Sequence, residues 1–134
     1  MSASNPLADK IDITVVVSCY NEEAFITDTL DNMCAALKQV DCLYEIIVID
    51  DCSKDGSVQK LRDYIRHHPG EPITLKVNEV NRGWGNAYVE GAFLGRGKYY
   101  RLCAGDNTES LAVLVNVYKR IGAADIVIPC QNQD

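Results

Sequence analysis

Apolar residues along this chain fall into two kinds of run that take turns. Ile13-Thr14-Val15-Val16-Val17-Ser18 is continuous and β-branched, and Tyr44–Asp50 carries the uninterrupted block Ile46-Ile47-Val48-Ile49. Ile73–Val77, Tyr99–Cys103 and Asp125–Pro129 are shorter runs of the same kind. Short apolar blocks bounded by turn-forming residues predict strands, and continuity without alternation predicts burial on both faces, as in a parallel sheet covered by helices. Between these runs the spacing changes. Ile26, Leu30, Met33 and Leu37 fall on one helical stripe, as do Val58, Leu61 and Ile65 in the stretch from about Ser57 to His67. A glycine-punctuated helix is expected from about Gly85 to Leu94, and a fourth carrying Leu111, Leu114, Val115, Tyr118 and Ile121. The order β-α-β-α-β-α-β-α-β predicts an α/β fold of three layers with a mostly parallel sheet.

At 134 residues, 47% hydrophobic and 24% charged, the chain is one globular domain's worth. We read residues 1–11 as a polar, flexible N-terminus and 12–134 as the domain. A net charge of −6 argues against binding a nucleic-acid backbone by bulk electrostatics, while leaving room for a phosphorylated small molecule met locally. The six cysteines include no C-x-x-C pair, so neither a zinc site nor a redox motif is signalled, and a reduced, cytoplasmic protein is expected. No apolar run approaches the roughly 20 residues of a membrane helix.

Strand ends are where the chemistry gathers. In an open α/β sheet, ligands lie in the crevice beyond the carboxyl ends of the strands. The second strand ends on Asp50-Asp51, and because neighbours on a strand point to opposite sides, we expect Asp51, the first residue past the Tyr44–Asp50 run, to face that crevice. The remainder, Cys52-Ser53-Lys54-Asp55-Gly56-Ser57, reads as a turn in which Asp55-Gly56 reverses the chain and Ser57 caps the next helix. Ser18 to Glu22 and Ala104 to Asn107 leave the first and fourth strands towards the same edge. Glu22 and Glu23 both suit the amino end of the first helix's dipole. Asp106 and Glu109 have the spacing of a capping box. Asn81-Arg82-Gly83-Trp84-Gly85-Asn86-Ala87 places glycines where backbone amides can approach a phosphate. A dinucleotide fingerprint would need its glycines directly after the first strand, where this chain has Cys-Tyr-Asn-Glu-Glu. A phosphoacceptor signalling domain would need a lysine after the last strand, where Pro129-Cys130-Gln131 offers none.

In this order these segments resemble the family 2 glycosyltransferases, enzymes with a nucleotide-sugar-binding GT-A fold, and among them the branch acting on dolichyl or undecaprenyl phosphate. The resemblance runs from about Ile13 to Pro129. It implies transfer of a sugar, with inversion, from a nucleotide-sugar donor to an acceptor such as a lipid phosphate or a growing glycan. It also implies a nucleotide pocket formed by Ser18, Tyr20, Glu22, Asp51, Arg82, Gly83 and Asp106, with Tyr20 stacking and Asp51 accepting from the base. A Mg²⁺ or Mn²⁺ ion would be held at Asp106. Here the family's Asp-x-Asp motif reads Ala104-Gly105-Asp106, so its first carboxylate is absent. A hard cation needs only one or two protein carboxylates when phosphate and water complete its shell, and the ligand role for Asp106 is favoured over the capping one. The family's general base and acceptor site come from a segment after the fifth strand, so none is assigned and little turnover is expected of these 134 residues alone. Relatives that use lipid phosphates often carry membrane helices further along, which leaves the full-length protein free to sit at the cytoplasmic face of a membrane. The alternative is a nucleotide-sugar-binding module without catalysis.

Overall fold

The computed structural model describes residues 10–130. Eight elements alternate: β1 (Ile13–Cys19), α1 (Ile26–Val40), β2 (Tyr44–Asp50), α2 (Ser57–His67), β3 (Ile73–Val77), α3 (Trp84–Leu94), β4 (Tyr99–Ala104) and α4 (Leu111–Tyr118). The four strands form one parallel sheet in the order β3-β2-β1-β4. Val15 sits opposite Ile46 on one side and Arg101 on the other, so β1 is an interior strand.

This order explains the layers. The chain steps outward from β1 to β2 to β3, then returns across β1 to place β4 on the far side. Right-handed crossovers made in opposite directions put their helices on opposite faces. Accordingly α1, α2 and α4 share one face, where Val15, Val17, Ile46 and Val48 meet Leu30, Met33, Leu37, Leu61, Leu114 and Tyr118. Among the described residues the other face is covered by α3, with Val16, Ile47 and Ile49 against Ala87. Ile46 to Ile49 are therefore buried on both sides, as their unbroken apolar run predicts.

Close backbone approach ties the connection after α3 to the sheet. A Cβ at Gly97 would lie 2.6 Å from the Ile13 carbonyl carbon and closer still to the Thr14 nitrogen, so only glycine fits there. Beside it, buried Glu45 accepts from Thr14 Oγ1 at 2.7 Å and from the Arg96 amide at 2.5 Å, which fastens the amino end of the sheet. The sheet edge that matters for function is the opposite one.

The predicted fifth strand does not form. Residues 125–130 run without ladder pairing, Ile126 and Ile128 stand 76% and 81% exposed, and α4 ends at Tyr118 rather than reaching Ile121. The β-prone run Asp125–Pro129 has the composition of a strand, but a strand is stabilised by its partners and cross-strand pairs. Here the segment lies beside β4 and α4 across a cavity of about 470 Å³, lined in part by Tyr99, Arg101, Tyr118 and Val127, and β4 keeps an unpaired outer edge among the described residues.

Candidate functional site

Main-chain hydrogen bonds between the loops build the rim at the carboxyl ends of the strands. The Asp51 amide donates to the Cys19 carbonyl at 2.8 Å, and the Gly105 amide donates to the Ser18 carbonyl at 2.9 Å. The end of β1 is thus gripped from both sides, by the loop after β2 and by the loop after β4. Asp51 and Asp106 flank it on the same edge, and the strand order reverses there, between β1 and β4, where α/β sheets bind ligands.

Asp51 is 4% exposed, and its carboxylate is engaged by the protein. Oδ1 accepts from the Arg82 amide at 2.8 Å and from Asn78 Nδ2 at 3.2 Å, and Oδ2 accepts from the Gly83 amide at 2.7 Å. Burial works to raise its pKa, but those three donors and the Arg82 charge outweigh it and hold the carboxyl below its ordinary value. Asp51 therefore shapes the loop that carries Arg82 and Gly83. Gly83 sits at φ 86°, a left-handed conformation that suits glycine, and opens α3 without a side-chain cap. The Arg82 side chain is exposed and makes no ion pair among the described residues.

Asp50, the other member of the pair, is completely buried and turns to its own loop. It accepts from the Ser53 amide at 3.0 Å and from Ser53 Oγ at 2.5 Å. Ser57 does not cap α2 as expected; it is the helix's first residue, and its hydroxyl donates to Asp55 Oδ1 while accepting from the Glu22 amide. Glu23 also departs from expectation. Its carboxylate accepts from the Gly56 amide at the start of α2 instead of lying along α1. The reason is geometric: α1 begins only at Ile26, and the loop before it is laid across the α2 amino end.

On the β4 side, Asp106 Oδ1 accepts from Thr108 Oγ1 at 2.8 Å and from the Thr108 amide at 3.2 Å. It is not a helix cap. Ser110 caps α4, receiving the Val113 amide, and Glu109 pairs with Arg101. Glu22 has its pKa raised, first by burial and then by the nearby negative charges of Asp106 and Asp55. A carboxyl whose ionisation is disfavoured by a neighbouring negative charge is a setting a cation relieves. Among the described residues no three acidic, cysteine or histidine side chains converge on a point. The donor set fits an ion that takes oxygens from protein, substrate and water together, and does not fit a cage made by protein alone. Tyr20 is 46% exposed at the rim, and Ser18, half-buried, contributes the carbonyl that holds Gly105.

Six of the seven sequence-predicted residues belong to these loops, and Ser18 lies near the carboxyl end of β1. The sequence reading missed Asn78, buried at the end of β3 and bonded to Asp51, although the rule that selected Asp51 applies equally to a polar residue closing the next strand. It also gave no role to Ser53, which joins the β1 and β2 loops.

Comparison with known proteins gives five further findings. The family described as Glycosyl transferase family 2 matches residues 14–133. A dolichyl-phosphate beta-glucosyltransferase of Dictyostelium discoideum is 38% identical over 71% of this chain and 30% of its own length. The succinoglycan biosynthesis protein ExoO of Rhizobium meliloti is 30% identical over 96% of this chain and 35% of its own. Among solved structures, a mannosyltransferase from Pyrobaculum calidifontis in complex with GDP-Man and Mn²⁺ superposes with a TM-score of 0.65 at 29% identity, covering 70% of this chain and 27% of that one. TarS of S. aureus in complex with UDP-GlcNAc gives 0.57 at 25% identity, over 71% and 26%. The chain spans about a third of the length of the curated relatives it matches.

Proposed function

The chain belongs to glycosyl transferase family 2, and from that we propose that it supplies the donor-binding part of an inverting glycosyltransferase whose acceptor is a lipid phosphate or a growing glycan. The observation that carries this reading is the convergence at one sheet edge of the loops after β1, β2 and β4, joined through the Ser18 and Cys19 carbonyls, with the Asp106 charge near enough to raise the Glu22 pKa and Tyr20 exposed.

In this reading the base lies over Tyr20, whose ring offers a face for stacking. Asp51 holds the Asn81–Gly83 loop beside the base and offers its remaining lone-pair capacity to a base N–H. Arg82, which makes no ion pair among the described residues, meets phosphate charge. Asp106, with Glu22 beside it, is the place for a divalent cation, which when bound would offset charge developing on the departing diphosphate. Asp106 Oδ2 accepts no hydrogen bond among the described residues and is the oxygen left for that purpose. During transfer an acceptor oxygen forms the new bond at the anomeric carbon as the bond to the nucleoside diphosphate breaks, and the electron pair leaves with the phosphate. The acceptor's proton goes to a base to which no residue here is assigned.

Support for a lipid-phosphate acceptor comes from relatives named as dolichyl-phosphate and undecaprenyl-phosphate transferases, and support for a glycan from ExoO. Among the described residues no helix is long and apolar enough to cross a membrane. A thermal-shift screen of UDP- and GDP-sugars, each with and without Mn²⁺ or Mg²⁺, tests the reading. It predicts stabilisation by at least one nucleotide sugar that increases when the metal is added, and a flat response to every nucleotide under all conditions would overturn it.

A further inference from the structure

Three consecutive amides after β1 are held by one segment after β2. The Asn21 amide donates to Ser53 Oγ at 2.9 Å, the Glu22 amide to Ser57 Oγ at 2.9 Å, and the Glu23 amide to Asp55 Oδ2 at 3.2 Å. Each serine's own proton is already committed to a carboxylate: Ser53 Oγ donates to Asp50 Oδ1, and Ser57 Oγ to Asp55 Oδ1, both at 2.5 Å. A hydroxyl has one proton, so each oxygen is left presenting only lone pairs, aimed at the β1 loop. The Ser53 amide closes on Asp50 Oδ2, which removes the last freedom of that side chain. In return Asn21 Oδ1 accepts from the Lys54 amide at 2.8 Å, with Asn21 itself at φ 52°.

What this arrangement fixes is an exposed loop. Tyr20, Asn21 and Glu23 all face solvent, so holding them buries little apolar surface. Yet Asp50, one arm of the grip, is a completely buried carboxylate, and burying a charge is costly unless its partners are fully supplied. A local expense that brings little stability in return is what a functional constraint looks like. Tyr20 and Glu22 lie on either side of Asn21, so pinning the amides of residues 21 and 22 sets both side chains at once.

Resting on the donor-binding reading of this rim, we propose that Ser53 and Ser57, each oriented by its own carboxylate, are positioning residues that hold Tyr20 and Glu22 in the arrangement that receives the nucleotide. They act through the β1 loop and do not touch the donor. The spacing Asp50, Ser53, Asp55, Ser57 is then the pattern a loop needs to present acceptors to successive amides.

The test is calorimetric titration of the 134-residue chain with UDP and with GDP, each with Mn²⁺, for wild type, Ser53→Ala, Ser53→Thr, Tyr20→Ala/Glu22→Gln and that double variant carrying Ser53→Ala, with thermal unfolding of each. Ser53→Ala is expected to weaken nucleotide binding about tenfold, equivalent to roughly 1.4 kcal/mol, and to lower Tm by several degrees because buried Asp50 loses one of its donors. Ser53→Thr, which keeps the hydroxyl, restores binding to within about threefold. In the Tyr20→Ala/Glu22→Gln background, adding Ser53→Ala costs less than about twofold, because the residues it positions are gone. Unchanged binding by Ser53→Ala overturns the proposal, and so does an equal loss in both backgrounds, which is what a purely structural role would give. Wild-type chain that binds neither nucleotide overturns the donor-binding reading beneath it, a result distinct from the other two.

Discussion

Asp51 accepts from two main-chain amides and from Asn78, and this decides what its loss should do. Hydrogen bonds to a charged group contribute about 1.5–3 kcal/mol each at most, and some of that returns when an amide replaces the carboxylate. Asp51→Asn is expected to lower unfolding stability at pH 7 by about 1–3 kcal/mol in urea titrations, with the Asn81–Gly83 loop losing protection in hydrogen exchange. The pH dependence follows in sign. The folded-state pKa of Asp51 is lowered, so its contribution is present above the unfolded value near 3.9 and is lost as pH falls through the folded value. Wild type should therefore lose stability on the acid side more steeply than Asp51→Asn. Glu22 has the opposite shift. Protonating it removes a negative charge from the proposed cation site, so Mn²⁺-supported nucleotide binding should weaken, as pH falls, at a higher pH than an ordinary carboxylate would give. Asp106→Asn should move the Glu22 titration, followed by NMR, down towards that ordinary value. At this scale the sequence was informative about position and weak about partners. Asp51 could be placed from the strand end alone, but that its oxygens bind Arg82 and Gly83 depends on a loop 31 residues further along, which no local pattern encodes.

Among elements, β1, β2, α1 and α2 were the most legible because each carries its own evidence: continuous β-branched runs in β1 and β2, a single apolar stripe in α1 and α2. The run Asp125–Pro129 was not, since a strand exists only when something pairs with it, and composition says nothing about partners. Ser57 shows the same limit at a helix end, where a residue suited to capping was drawn instead to the Glu22 amide. Two predictions belong here. Leu30, fully buried between α1 and the sheet, should lose about 2–5 kcal/mol on truncation to Ala, read from the urea midpoint. Gly97→Ala should be at least as damaging as a typical overpacking change of about 1–3 kcal/mol, because its Cβ meets main-chain atoms of Ile13 and Thr14 that have no rotamer to escape into. Soluble yield and thermal unfolding report both.

For the molecule as a whole, the strand order carries the functional argument. Because β4 returns to the far side of β1, three strand ends meet at one edge, and acidic side chains distant in sequence become neighbours there. In the proposed reading no residue of these 134 is assigned as the acceptor of the proton, so little sugar transfer to a polyprenyl-phosphate acceptor is expected of the chain in a radiolabel assay, and robust product would contradict that expectation. The central claim concerns the rim itself, and calorimetric titration of wild type and Asp106→Asn with UDP and GDP, each with and without Mn²⁺, tests it most directly. The account predicts that Mn²⁺ tightens wild-type binding of at least one nucleotide by about tenfold or more, roughly 1.4 kcal/mol, and that Asp106→Asn loses this increment while keeping its metal-free binding. Nucleotide binding indifferent to Mn²⁺ in wild type, or an increment undiminished in Asp106→Asn, would contradict it.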